Sequence, residues 1–237
     1  MIPDSRPETV RTSVEGSLRR LGTDHIDLYY QHRIDPKVAP EEVAQVMSEL
    51  MREGKITHWG ISEADEEYLK RANAVCPVTA VQNRYSMMAR QHEKLFPVLE
   101  ELGIGFVAFS PMANGFLTGR YAKGEPFDRK YDYRASMPQF ADEAIDENRE
   151  LLGLLSGMAE EKDATPAQIS MAWMLCKKPW IVPIPGTRKP DRMKENAGAA
   201  DIMLTADEVA RLDEALENMS MSDVFGGTGT VKKQEAK

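Results

Sequence analysis

This 237-residue sequence predicts an α/β fold, a partial TIM-type (β/α)8 barrel of about five of the eight units. Three observations carry that reading. Strand-like and helix-like periods alternate along the chain with mostly short connections, which makes the strands parallel. Residues with chemistry to offer, His32, Ser62, Gln82, Phe109-Ser110 and Gly186, fall at the C-terminal end of strand after strand, where an α/β barrel keeps its active site. No Gly-x-Gly-x-x-Gly follows any strand, which weighs against a doubly wound sheet of five strands.

Each element has its own signal. Ser5-Arg-Pro-Glu8 reads as a capping box, followed by Val10, Val14, Leu18 and Leu21 at helical spacing. Gly22-Thr-Asp24 ends that helix, and Ile26, Leu28 and Tyr30 alternate as a strand from His25 to His32. Pro40 opens a helix whose buried stripe is Val43, Val46, Met47, Leu50 and Met51, and Gly54 stops it. A strand over 56–62, a helix over 65–74 and a strand over 78–82 follow. Leu95, Val98, Leu99 and Leu102 mark a helix closed by Gly103, and 106–110 is a strand. The irregular stretch 112–140 is long enough to be a lid or binding loop. Helices are expected over 143–161 and 166–177, the second opened by the capping box Thr165-Pro-Ala-Gln168. Trp180 to Ile184 is the last strand. Helices over 190–197 and from the Thr205-Ala-Asp-Glu208 cap complete a folded region over 1–218, and 219–237 is expected to be a disordered tail.

Composition narrows the function. A net charge of −8 argues against general binding to nucleic acid or to an anionic membrane surface. No apolar run approaches the ~20 residues of a membrane span. Cys76 and Cys176 lie far apart without Cys-x-x-Cys spacing, so both read as core thiols of a reduced, cytoplasmic protein. His25 and His58 read as structural and His92 as a surface residue, and no metal site is expected.

Against that acidic background, one basic segment stands out. The apolar run 180–184 leads into Gly186-Thr187 and then Arg188, Lys189, Arg192 and Lys194, four cations over seven residues. A helix N-terminus offers free N–H groups and partial positive charge, so this segment reads as a phosphate clamp.

With these residues placed, the chain resembles the aldo-keto reductase family, whose (β/α)8 barrel binds NADPH across its strand C-termini. Ser17-Leu-Arg-Arg-Leu-Gly-Thr-Asp-His-Ile-Asp-Leu-Tyr-Tyr-Gln-His32 is similar to the family's fourth-strand unit. Glu53-Gly-Lys-Ile-Thr-His-Trp-Gly-Ile-Ser62 is similar to the fifth, Val81-Gln-Asn83 to the sixth, Phe109-Ser-Pro111 to the seventh, and the basic clamp to the eighth. The resemblance implies a cofactor, NADPH, and a small carbonyl or alcohol substrate. It assigns His32 a catalytic role and gives Ser62 and Gln82 the nicotinamide carboxamide. Phe109 is implied to stack on the nicotinamide, and Ser110, Met112 and Asn114 to form a pyrophosphate loop. Gly186, Thr187 and Arg188 form the clamp turn, Arg192 matches the adenosine 2′-phosphate arginine, and Glu195 and Asn196 match adenine contacts.

The family's tetrad also contains an Asp, a proton-donating Tyr and a Lys, none of which has a counterpart here. The first residues resemble the helix after the third strand, so the resemblance implies a chain truncated before its fourth strand and inactive alone. Glu63 replaces a common Asn, and Gly186 stands where many relatives have a cation, which leaves the phosphate charge to Arg188 or Arg192. Tyr30, two residues before His32, reads as core packing rather than as a substitute acid. A non-catalytic nucleotide-binding or subunit-interaction module is the alternative reading. In either case two apolar strand edges, 25–32 and 180–184, would favour self-association.

Overall fold

The computed structural model describes residues 2–124, 126–128 and 130–224. Five parallel strands form an open sheet in the order β1-β2-β3-β4-β5. The chain divides into two compact units, Met1–Asn83 with Lys94–Val107, and Arg84–Glu93 with Ala108–Lys237.

The first unit alternates helix and strand as expected: α1 (Pro7–Leu21), β1 (Ile26–Gln31), α2 (Pro40–Arg52), β2 (Ile56–Ser62), α3 (Glu66–Val75), the body of β3 (Ala80–Arg84), α4 (Phe96–Leu102) and the start of β4 (Gly105–Phe109). Val10 and Val14 of α1, Val43, Val46, Met47 and Leu50 of α2, and Trp59 and Ile61 of β2 are buried. β1 pairs in parallel with β2 up to Gln31↔Ile61, and β2 with β3 up to Ser62↔Gln82.

The capping box expected at Ser5 does not form. α1 starts at Pro7 with no side-chain cap. Ser5 is buried and its hydroxyl accepts from Gln31 Nε2 at 3.1 Å, so a partner 26 residues away has taken the would-be cap. Asp4 organises the turn instead, accepting from the Arg6 N–H and the Thr9 hydroxyl. β3 begins two residues later than expected because the Val78 N–H is drawn off by Asn73 Oδ1 at 2.8 Å.

Gly60 is a true constraint. A Cβ there would lie 2.4 Å from Tyr30 Cε1 and 2.8 Å from the Ala80 carbonyl oxygen. A ring can swing aside, but a strand carbonyl cannot. Gly60→Ala is expected to lower stability by about 1–3 kcal/mol. Urea midpoints would check this, and Tyr30→Ala in the same chain should restore only part of the loss.

In the second unit 3₁₀ turns at Ala113–Thr118, Tyr133–Ser136 and Pro138–Phe140 precede α5 (Asp142–Glu147), α6 (Arg149–Glu161), α7 (Pro166–Lys177), β5 (Ile181–Pro183) and α8 (Pro190–Ala197), and a further 3₁₀ turn (Gly198–Asp201) leads to α9 (Ala206–Asn218). The capping boxes at Thr165 and Thr205 both form. The single helix expected over 143–161 is instead two, broken at Asn148. Asn148 is fully buried, and its Nδ2 donates to the Ala144 carbonyl and to Ser222 Oγ, each at 2.7 Å. The Ser222 N–H returns to Asn148 Oδ1 at 3.1 Å. Of the segment expected as a tail, residues 225–237 lie outside the described residues, while Ser222 and Val224 are buried.

A polar cluster ties segment 84–93 to α7 and α9. Tyr85 stacks on Trp173 with centroids 5.3 Å apart and donates to Glu93 Oε1 at 2.6 Å. Lys177 Nζ lies 2.8 Å from Glu93 and 2.9 Å from Asp213, which also accepts from Trp173 Nε1 at 2.8 Å. Burial first, and then the Glu93 carboxylate, push the Tyr85 phenol far above its usual range. Cys76 is buried as expected, but Cys176 is only half-buried, with the Leu204 N–H donating to its sulfur at 3.4 Å.

Candidate functional site

Within the second unit a cavity of about 390 Å³ gathers most of the residues singled out from sequence. Phe109, Ser110, Met112 and Asn114 line it from the end of β4, and Gly186, Thr187, Arg192, Glu195 and Asn196 from the end of β5 and from α8. Arg188 does not line the cavity, and it is exposed along with Lys189 and Lys194. Arg192 alone of the four clamp cations is half-buried on the cavity wall.

The local backbone is unusual where β4 ends. Ser110, Ala113 and Asn114 adopt left-handed φ of 56°, 47° and 60°. Such conformations cost energy for residues other than glycine and concentrate at functional sites. Ser110 Oγ donates to Asn114 Oδ1 at 3.1 Å, bracing the turn. The Arg84 guanidinium lies over the Phe109 ring, 5.2 Å from its centroid, and so occupies one of that ring's two faces. Gln168 closes the capping box of α7 and also donates through Nε2 to the carbonyl of Glu195, a lining residue, at 2.9 Å.

Several lining residues come from the long loop flagged only by its length. Arg120, Tyr121, Tyr133 and Arg134 all border the cavity. Tyr121 packs edge-on against Phe140 at 5.1 Å, and Arg134 lies over the Tyr121 ring at 5.2 Å while ion-paired to Asp132. Arg120 reaches the Glu195 carboxylate at 3.3 Å. Glu195 is thereby neutralised, whereas Arg192 has no hydrogen bond or ion pair among the described residues. An unneutralised guanidinium, the N-terminus of α8 and a small apolar wall make a cavity suited to an organic anion. This donor set fits a phosphorylated nucleotide.

The first unit holds the remaining candidates at its strand ends. His32 follows β1 and is exposed beside a cavity of about 790 Å³ that Tyr30, Gln31 and Arg33 also line. Ser62 ends β2 fully buried, and Gln82 is its half-buried register partner on β3. Glu63 adopts a left-handed φ of 60°, its N–H donating to the Gln82 carbonyl at 3.1 Å. The Tyr30 phenol is pushed up by burial, which the Gln82 side chain partly offsets, although its hydroxyl makes no hydrogen bond of ordinary geometry. Among the described residues no group of three or more His, Cys, Asp or Glu could hold a metal ion, and no helix is long and apolar enough to cross a membrane.

Residues 1–217 match the family model described as "Aldo/keto reductase family". The chain is 39% identical over 215 residues to aldo-keto reductase str7 of Strobilurus tenacellus, which covers 89% of this chain and 64% of that protein. It is 38% identical over 226 residues to probable aldo-keto reductase 1 of Glycine max, with 94% and 64% covered. The chain thus spans 64% of the length of these curated relatives. Among solved structures, the glycerol dehydrogenase AKR11B4 from Gluconobacter oxydans aligns with a TM-score of 0.85 at 27% identity, covering 91% of this chain and 66% of that one. The thermostable aldo-keto reductase Tm1743, solved with the inhibitor epalrestat, aligns at 0.70 and 28%, with 89% and 67% covered.

Proposed function

Because the chain belongs to the aldo/keto reductase family, we propose that it carries the NADPH-binding and carbonyl-orienting parts of an oxidoreductase that interconverts small carbonyls and alcohols. The observation that carries the cofactor assignment is Arg192, a half-buried cation on the cavity wall with no hydrogen bond or ion pair among the described residues. In this reading Arg192 holds the adenosine 2′-phosphate, while Ser110, Met112 and Asn114 offer the β4 turn to the pyrophosphate. Asn196 and the Arg120-braced Glu195 flank the base. Phe109, with Arg84 on one face, keeps its other face for the nicotinamide. When bound, NADPH supplies a hydride to the carbonyl carbon. His32 would offer a ring N–H to the carbonyl oxygen to orient it, and Ser62 and Gln82 would hold the carboxamide. Proton delivery to that oxygen falls to a tyrosine and its lysine and aspartate partners, for which this sequence has no counterparts.

The affinity test is direct. A guanidinium binds a phosphate bidentately, and a charge-assisted hydrogen bond contributes about 1.5–3 kcal/mol. Arg192→Ala is expected to weaken NADPH by that amount and to abolish the preference over NADH, as read by calorimetric titration. Unchanged NADPH affinity would remove Arg192 from the role.

The module reading keeps one observation in its favour. Val182 and Ile184, on and just after outer strand β5, are 54% and 44% exposed. Self-association through such an edge would appear as concentration-dependent mass in sedimentation, and a strictly monomeric chain at high concentration would dismiss it.

A further inference from the structure

The backbone ladder between β1 and β2 ends at Gln31↔Ile61, one residue short of both His32 and Ser62. On its other side β2 stays paired, through Ser62↔Gln82 and the Glu63 N–H. Where the ladder stops, a side chain takes over. Arg33 Nη1 donates to the His32 carbonyl at 2.7 Å and to Ser62 Oγ at 3.1 Å. One planar nitrogen therefore bridges the ends of two adjacent strands. This contact was not among the features read from sequence.

Its effect on Ser62 follows from hydrogen-bond chemistry. A serine hydroxyl has one proton and two lone pairs, whereas a guanidinium can only donate. With Arg33 filling a lone pair, the hydroxyl proton cannot be directed at Arg33. It also has no acceptor among the described residues, although Ser62 is only 1% exposed. A buried hydroxyl in that position is an oriented donor waiting for an acceptor, polarised by an adjacent positive charge.

We propose that Arg33 is a positioning residue for the nicotinamide end of the cofactor, setting the spacing of His32 and Ser62 and committing the Ser62 hydroxyl to donate to the carboxamide oxygen. This rests on the cofactor assignment made above. Arg33 need not touch the cofactor to act, since its influence passes through Ser62. A lysine could reproduce the charge but not the planar fork, so it would restore the contact only in part.

Two ligands separate this proposal from the assignment beneath it. The whole chain is titrated with NADPH and with 2′,5′-ADP, which carries the 2′-phosphate end and no nicotinamide. Arg33→Met is expected to bind 2′,5′-ADP as the unaltered chain does, which also certifies its fold, and NADPH about tenfold more weakly, as for one lost charge-assisted hydrogen bond. Arg33→Lys should recover part of that loss. Ser62→Ala should cost less in an Arg33→Met background than alone, because without Arg33 the Ser62 hydroxyl is no longer committed to the carboxamide. NADPH affinity within twofold of the original in Arg33→Met overturns the proposal and leaves the cofactor assignment standing. Equal loss of both ligands also overturns it, in favour of a general structural role. If the unaltered chain binds neither ligand, the cofactor assignment falls and the proposal falls with it.

Discussion

NADPH oxidation by this polypeptide alone, assayed against small aldehydes and quinones, is expected to run at least about 10²–10⁴-fold below that of a family member with a complete tetrad, the usual contribution of a positioned acid or base. The hydride acceptor's oxygen must gain a proton as the carbon gains a hydride. On the reading proposed above, His32 orients that oxygen while the groups that supply and tune the proton are not supplied by this polypeptide. Tyr30 is the phenol nearest to His32 along the strand, and its environment works against the role. A useful acid at neutral pH needs its pKa brought down, whereas burial pushes Tyr30 up. Its ring is also packed over Gly60. Enzyme-like turnover that disappears in Tyr30→Phe would defeat this expectation and make Tyr30 the acid. Slow background oxidation that is indifferent to Tyr30→Phe and His32→Ala would uphold it.

Lys177→Met is expected to be the most damaging conservative-length substitution in the second unit. Lys177 is 13% exposed and stands between Glu93 and Asp213, which are 28% and 27% exposed. Removing the ammonium leaves two carboxylates facing each other, one of them also held by the Trp173 indole. Arg90, 4.0 Å from Asp213, offsets only part of this. Breaking a fully buried pair costs about 3–5 kcal/mol, and the partial exposure here reduces that to about 2–3. Melting should drop by roughly 5–10 °C for a chain of this size. Arg71→Met, which removes a surface partner of Glu41, should melt close to the unaltered chain. If Lys177→Met melts with the unaltered chain, the cluster is ornamental.

Much of the fold was legible because its determinants are local. The stripe from Val43 to Leu50, the boxes at Thr165 and Thr205, and the run from Ile56 to Ser62 each announce their element within a few residues. The failures are non-local. Ser5 carries a capping signature, yet its hydroxyl is claimed by Gln31. Helical periodicity runs smoothly through Asn148, and nothing nearby reveals that Ser222 interrupts it. Pattern and resemblance single out residues at strand ends and in the basic clamp as candidates. Nine of them line one cavity in the second unit. Arg120, Tyr121, Tyr133 and Arg134 could not be singled out, because loop length marks a segment as functional without saying which side chains turn inward. Arg33 was hidden for a related reason, since an exposed arginine after a strand looks like solvated charge until Ser62 is seen beside it.

The Asn148–Ser222 clasp joins residues 74 positions apart, and that interval is also a delay. At a synthesis rate of about 5–20 residues per second, Ser222 leaves the ribosome's active site roughly 4–15 s after Asn148. Throughout that time the amide of Asn148 has no hydroxyl to receive its proton, and α5 and α6 are free to run on as the one continuous helix that their periodicity encodes. The break between them is therefore written last, by a segment that arrives after every helix and strand it organises has been made.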